Sequence, residues 1–391
     1  MNKLFSLILF LVFLGNTAIA SDFISYNEAT LKFNKEHISK NNEALVALIA
    51  LADKALANPI DPVTNKTLLP ASGNAHDYYS FGPYWWSNPD TADGLPYIRK
   101  DGETNPATRT SATDKDRQIK FSNDVMHLAL AYYFTDDKKY ANKAVAQLRA
   151  WFIDPKTKMN PHLKYAQAIP GIVDGRGIGI LDTRLFINVM DSVILLKPVL
   201  SDSDYKAITK WYSELLTWML NSPEGFEEDN WHNNHGTWFD AQVVAFALFT
   251  NQKDIANKRL QITQMRRIGG HFDIKGEQIA ELERTLPWHY SNFNLEGYGL
   301  LGHYGEIAGV DIWGYDMDGH NLKNGFTLIA KTVINPKGWA YATKTEKFNP
   351  NEAYLAMLYA STAYEDPIFK QALTVLKKDS SNAKNINNLL F

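Results

Sequence analysis

From Asp114 to Ile268 the chain is a succession of segments with helical apolar spacing, separated by polar breaks of only a few residues. Phe121, Val125, Leu128, Ala129 and Tyr132 share one face of a helix over 114–134, and Tyr140, Ala144, Leu148, Trp151 and Phe152 share a face of the next. The break between them, Thr135-Asp136-Asp137, allows little but an antiparallel return, so the pair reads as a helical hairpin. The pattern repeats over 181–200, 202–220, 238–250 and 254–268. Upstream, the spacing of Leu31, Phe33, Ile38, Leu45, Leu48, Ile49 and Leu51 gives one long or two shorter helices between Tyr26 and Ala57. No run alternates with the period of a strand. The expectation is an all-α fold of stacked hairpins, a toroid or a superhelix. A regular solenoid is disfavoured because no fixed-period repeat is present.

Helix-like segments continue after Leu300, and Lys377–Asn388, polar and asparagine-rich, reads as a frayed tail. No linker marks off a second domain, so residues 21–391 are taken as one. The first twenty residues read as a secretory leader: Lys3, an apolar run from Leu4 to Leu14, and Ala18-Ile19-Ala20 as the cleavage site, with the mature chain starting near Ser21. That run is too short to span a bilayer and no later one reaches the required length, so no membrane insertion is expected. With no cysteine there is no disulfide, thiolate nucleophile or thiolate metal site. A periplasmic destination fits best. The formal charge of −3 becomes −4 once Lys3 is removed, which argues against a nucleic-acid partner. An acidic protein that handles a polyanion must instead gather a few cations in a cleft.

Three stretches carry candidate chemistry. Residues 58–106 are dense in Gly, Pro, Asn and aromatics and lack any period, and a loop this long in a compact domain is usually functional. His76, Tyr79, Trp85 and Trp86 lie in it. Aromatic faces stack on sugar rings and polar groups bind hydroxyls, so the stretch reads as one wall of a sugar-binding groove. Residues 170–179 are glycine-rich but lack the spacing of a phosphate or dinucleotide loop, and read as a turn that aims Arg176 at the groove.

The second stretch, Asp229–Gln242, sets Trp231, His232, Asn234 and His235 at the start of a helix, with Trp238 just inside it. The third, Glu281–Asn294, concentrates Arg284, His289 and Tyr290. His232 and His235 are three apart, a spacing zinc sites use, but the glutamate of a zinc-protease helix is absent and no third ligand is evident. Neither a metal nor another cofactor is expected. Asp77, Asp174, Asp229, Asp240 and Glu281 leave open a glycoside hydrolase with paired carboxylates. A non-catalytic binder of anionic sugars is the remaining alternative. Arg284 could also simply pair with Glu281 on its own helix face.

The Asn234-His235 pair followed by Trp238, and the Arg284-Thr285-Leu286 run leading to His289-Tyr290, resemble the alginate lyases. The likeness spans roughly residues 70–310 and is nearest to the branch written here as Glu-Leu-x-Arg-Thr…His-Tyr-Ser-Asn-Phe-Asn-Leu. It implies an incomplete (α/α) toroid and β-elimination on a polyuronate, alginate or glucuronan. It further implies that Asn234, His235 and Arg284 neutralise the uronate carboxylate and that Tyr290 acts as base and then acid, with a histidine as base for the opposite epimer. Tyr298 and Tyr304 are the fallback tyrosines. His76, Tyr79, Trp85, Trp86, Arg176, Trp238 and His289 are the expected substrate contacts. An adjacent Arg284 guanidinium is expected to favour the Tyr290 phenolate.

Overall fold

The computed structural model describes residues 23–391; the expected leader and its cleavage point lie outside the described residues. The expected helix between Tyr26 and Ala57 is two, α1 (Glu28–His37) and α2 (Glu43–Ala57). Asn42 divides them by capping α2, its side chain accepting from the amides of Ala44 and Leu45. The first hairpin is α3 (Lys115–Thr135) and α4 (Lys138–Phe152), turned by Asp136 in the left-handed region and by the Asp137 cap. There follow α5 (Phe186–Leu195), α6 (Asp202–Asn221), α7 (Pro223–Asp229), α8 (Asn234–Phe249) and α9 (Lys253–Ile262). The last segment of the periodic run ends in a π-helical turn, Thr263–Ile268. Short helices α10 (Gly269–His271) and α11 (Ile279–Leu282) lead to α12 (Pro287–Ala308), then α13 (Leu322–Ile334), α14 (Tyr354–Ala363), α15 (Pro367–Leu376) and α16 (Ser380–Ala383).

The helices form two layers of an (α/α) toroid. Inner helices pack on their neighbours in the order α3, α5, α8, α12, α14, while α2 and α4 back α3, and α6 and α9 back α8. The sequence explains the division. An inner helix is surrounded and must be apolar or small all round, whereas an outer one buries a single stripe. In α8 every residue from Gly236 to Ala247 is buried; in α4 buried positions recur at Tyr140, Ala141, Ala144, Val145 and Leu148. One contiguous apolar core runs from Ile24 to Leu390. The tail expected to fray is instead packed: Leu389 is buried, its carbonyl accepts from Asn34 Nδ2 at 3.0 Å, and the turn Ile386–Leu389 lies on α2. Two apolar residues just beyond it, Leu389 and Leu390, outweigh the asparagines before them.

At one mouth of the ring β1 (Tyr79–Phe81) pairs in parallel with β4 (Tyr165–Ala168) and β2 (Trp85–Trp86) pairs antiparallel with β3 (Ile98–Arg99); β5 (Asp316–Met317) pairs with β6 (His320–Asn321). The first two pairs give the aperiodic stretch 58–106 its shape.

Candidate active site

The N-terminal ends of α3, α8 and α12, together with the 3-10 turn Gly177–Thr183 that precedes α5, meet at that mouth around a cleft of about 420 Å³. Each helix N-terminus carries partial positive charge from its unpaired amides. Onto this the sequence adds Arg99, Arg109, Lys115, Arg176, Arg184 and Arg284, with His235 and His289. Asp182 is the acid in the wall, and it is buried under Lys115 at 2.6 Å, with Tyr78, Ser80 and Gln167 donating to it. Burial alone would push its carboxyl up, but Lys115 and these donors hold it below the ordinary range. An acidic protein has concentrated cations locally.

Asn233 caps α8, accepting from the His235 amide at 3.1 Å, so the helix starts four residues before the expected Trp238. Asn234 is fully buried. Glu281 on α11 accepts from its backbone amide at 2.5 Å and from Nδ2 at 2.9 Å, fixing the carboxamide. Glu281 therefore serves Asn234 rather than Arg284. His235 Nδ1 meets Glu228 Oε1, on the last turn of α7, at 2.9 Å, which leaves Nε2 for the cleft. Glu228 is wholly buried, and burial raises its carboxyl above the usual value. The turn beneath is braced by Arg267, which bonds Asp240, Asp229 and the carbonyl of Trp231. Gly236 is required there, since a Cβ would lie 2.3 Å from the Trp231 carbonyl oxygen.

Across the cleft, Pro287 opens α12 and places Tyr290 in its first turn. Its hydroxyl lies 2.6 Å from that of Tyr84, and the Arg284 guanidinium sits over its ring, 3.9 Å from the centroid. This corrects the expected electrostatics. The cation covers the ring face instead of the hydroxyl, and burial, then Tyr84, push the Tyr290 pKa up against the opposing pull of Arg284. Arg284 also spans to Asp101 (3.1 and 3.3 Å), which Thr285 and Arg99 bind as well, tying the aromatic loop to the motif. Burial opposes ionisation of Asp101, yet Arg284 and Arg99 together keep its carboxyl low.

Of the expected contacts, Trp85, Arg176 and His289 line the cleft with Asn234, His235, Arg284 and Tyr290. Arg176 is held by the Gln167 carbonyl and Oε1 at 3.0 and 3.1 Å; Gln167 itself has φ of 50°, a strained conformation for this residue type. Gly82 lets Arg176 and Trp85 approach, because a Cβ would come within 2.7 Å of both. His289 is turned partly to Glu352, at 2.9 Å. The structure puts four others elsewhere. His76 binds the Lys158 carbonyl, Tyr79 sits in β1 against Phe81, and Trp86 donates to the Glu103 carbonyl. Trp238 is buried against Phe293, behind the wall. The fallback tyrosines Tyr298 and Tyr304 are fully buried, bonded to His271 and Ser25.

Sequence reasoning missed Tyr84, Arg99, Arg109, Lys115 and Arg184. A usable signal existed for one of them: Lys115 is the first residue of α3, and a cation at the positive end of a helix works against the dipole.

Fold and cleft together define a helical-toroid protein with a strongly cationic groove. The alginate lyase family model matches residues 62–339. Among solved structures, a crystal structure of an alginate lyase from Bacteroides ovatus is 33% identical, covers 94% of this chain and 98% of that one, and superposes with a TM-score of 0.87. Alginate lyase A1-III from Sphingomonas species A1 is 15% identical over 86% of this chain and 92% of that one, TM-score 0.51. A variant of alginate lyase A1-III complexed with tetrasaccharide is 13% identical over the same shares, TM-score 0.52. At that identity these last two show the fold alone. No curated protein sequence matches. The chain belongs to the alginate lyase family, and it is a polysaccharide lyase.

Proposed function

We propose that this cleft cleaves a polyuronate, alginate in preference to glucuronan, by β-elimination at a uronate residue. The observation that carries the reading is the convergence of Asn234, His235, Arg284 and Tyr290 on one groove whose walls are otherwise cationic. Elimination requires removal of a C5 proton that is only weakly acidic while the adjacent carboxylate is ionised. Donors and positive charge must therefore meet that carboxylate, and Asn234, Arg284 and the helix N-termini supply them. A base takes the C5 proton, its electron pair becomes the C4–C5 double bond, the C4–O bond breaks, and the leaving oxygen is protonated.

The proposed roles are divided between Tyr290 and His235. Tyr290 rests as a phenol, because burial and Tyr84 hold its proton on, and so is ready to protonate the leaving oxygen. For Tyr290 to act first as base, its proton must leave the cleft, and the Tyr84 hydroxyl at 2.6 Å is the group on that path. His235, oriented by Glu228, offers Nε2 as base where the C5 proton faces the other way. The leader-like composition of residues 1–20 supports export to the periplasm. Among the described residues no helix is long and apolar enough to cross a membrane.

The test is a pair of variants on two polymers. Tyr290→Phe keeps the ring beneath Arg284 and should lose about a hundredfold or more on mannuronate-rich and guluronate-rich alginate alike. His235→Ala should lose selectively on the guluronate-rich polymer. Near-normal rates for Tyr290→Phe on both, with His235→Ala inactive on both, would remove Tyr290 from the chemistry and leave histidine as the general base throughout.

A further inference from the structure

Most of the cleft's cations are already neutralised within the protein. Arg99 and Arg284 pair with Asp101, Arg109 with Asp116 and Lys115 with Asp182. Among the described residues Arg176 lacks a carboxylate partner within 4.0 Å, but the Gln167 carbonyl and side chain occupy its Nε and Nη2. Arg184 has neither. Among the described residues no carboxylate lies within 4.0 Å of it and no protein group bonds its guanidinium, and its nitrogens are not sealed from the cleft they line.

Arg184 ends the 3-10 turn Gly177–Thr183, two residues before α5, and burial lowers its pKa, against the pull of Glu296 and Asp182. Its guanidinium is nonetheless held in place by two rings, 5.2 Å from the Phe293 centroid and 6.0 Å from that of Trp238, which themselves stack at 5.0 Å. A rigid aromatic platform that presents an unpaired guanidinium to a groove is a ready receptor for a planar carboxylate, which it can bind through two parallel N–H bonds. The acid with the strongest pull on it, Glu296, lies beyond ion-pair distance and has its own carboxyl pushed up to about 7 by burial, against the pull of Arg184.

We propose that Arg184 is a specificity-determining residue that receives the carboxylate of a uronate unit flanking the one being cleaved, with Trp238 and Phe293 as its support. This rests on the polyuronate reading above. It gives Trp238 a role one layer behind the substrate, through Arg184, and makes the groove select a chain of successive carboxylates over a single charged unit.

The experiment compares wild type, Arg184→Gln and Arg184→Lys on alginate by steady-state kinetics at several salt concentrations, with thermal unfolding in parallel. Arg184→Gln should raise KM by about tenfold, lower kcat by less than about threefold, and flatten the dependence of KM on salt. Arg184→Lys keeps charge and stem but cannot make the paired bonds, so its KM should rise several-fold. A folded Arg184→Gln with wild-type KM and salt dependence overturns the assignment. If that variant does not fold, an unchanged KM in Arg184→Lys overturns it equally. Wild type that yields no unsaturated product from any polyuronate defeats the underlying reading instead, which separates the two failures.

Discussion

Removal of Glu281 tests whether the site works by holding Asn234 still. Its carboxylate is buried and takes both the backbone amide and the Nδ2 of Asn234, at 2.5 and 2.9 Å. Hydrogen bonds to a charged group contribute about 1.5–3 kcal/mol each, so the two together amount to about 3–6 kcal/mol. Part of this is offset, because burial raises the carboxyl's pKa and the deletion relieves that cost. Glu281→Ala should therefore lose about 2–4 kcal/mol of stability net, and Glu281→Gln, which keeps one acceptor, about half as much. Turnover should fall even in the fraction that stays folded. A carboxamide free to rotate no longer meets the uronate carboxylate, and loss of one transition-state donor costs about a hundredfold in kcat with little change in KM. Urea unfolding and ultraviolet detection of the unsaturated product, run on the same preparations, read both quantities. A folded Glu281→Ala with wild-type kcat would refute the reasoning.

Tyr84→Phe removes the hydroxyl that helps hold the Tyr290 proton, so the Tyr290 pKa should fall and the pH profile of kcat should move to lower pH; an unshifted profile would show that the hydroxyl pair plays no part in proton transfer. His271, buried beside Thr237 and Tyr298, has its pKa lowered to about 3 by burial and then by the charge of Arg267. Its unfolded value is about 6.5, so the unfolded chain binds the extra proton and stability is lost as pH falls from about 6.5 toward 3. Asp114 and Asp191, each pushed up to about 6 by burial, act in the opposite sense over part of that range and mask the loss. His271→Gln should thus gain on wild type by about 2 kcal/mol between pH 6.5 and 4.5 in chemical unfolding, and parallel stability curves would contradict it.

The outer-layer helices were the most legible part of the fold, since a helix that buries one stripe writes a period into its sequence, as Tyr140, Ala144 and Leu148 do in α4. The helix α12 left no such mark. It is buried on nearly every side, and Gly299 and Gly302 give up helix propensity so that the rings of Tyr359 and Trp313 can lie against it. The strands β1 to β4 are too short to show alternation. At the site, residues adjacent in sequence were found readily because Asn234-His235 and Arg284…Tyr290 are local patterns. The cations Arg99, Arg109, Lys115 and Arg184 come from separate loops and helix starts, and only the closed ring brings them together. Aromatic character alone misled: Trp86 and Trp238 have the right chemistry for a sugar platform but are spent on a loop bond and a buried stack.

The claim on which the account stands is elimination, and product chemistry tests it most directly. The protein is incubated with mannuronate-rich alginate, guluronate-rich alginate and glucuronan while ultraviolet absorbance is followed, and the products are weighed by mass spectrometry. Elimination predicts a rising absorbance from the C4–C5 double bond and fragments whose masses sum to that of the parent chain, with no water added. Fragments whose masses sum to that of the parent chain plus one water for each bond cleaved, with no rise in absorbance, would mean hydrolysis by carboxylates and would contradict the account.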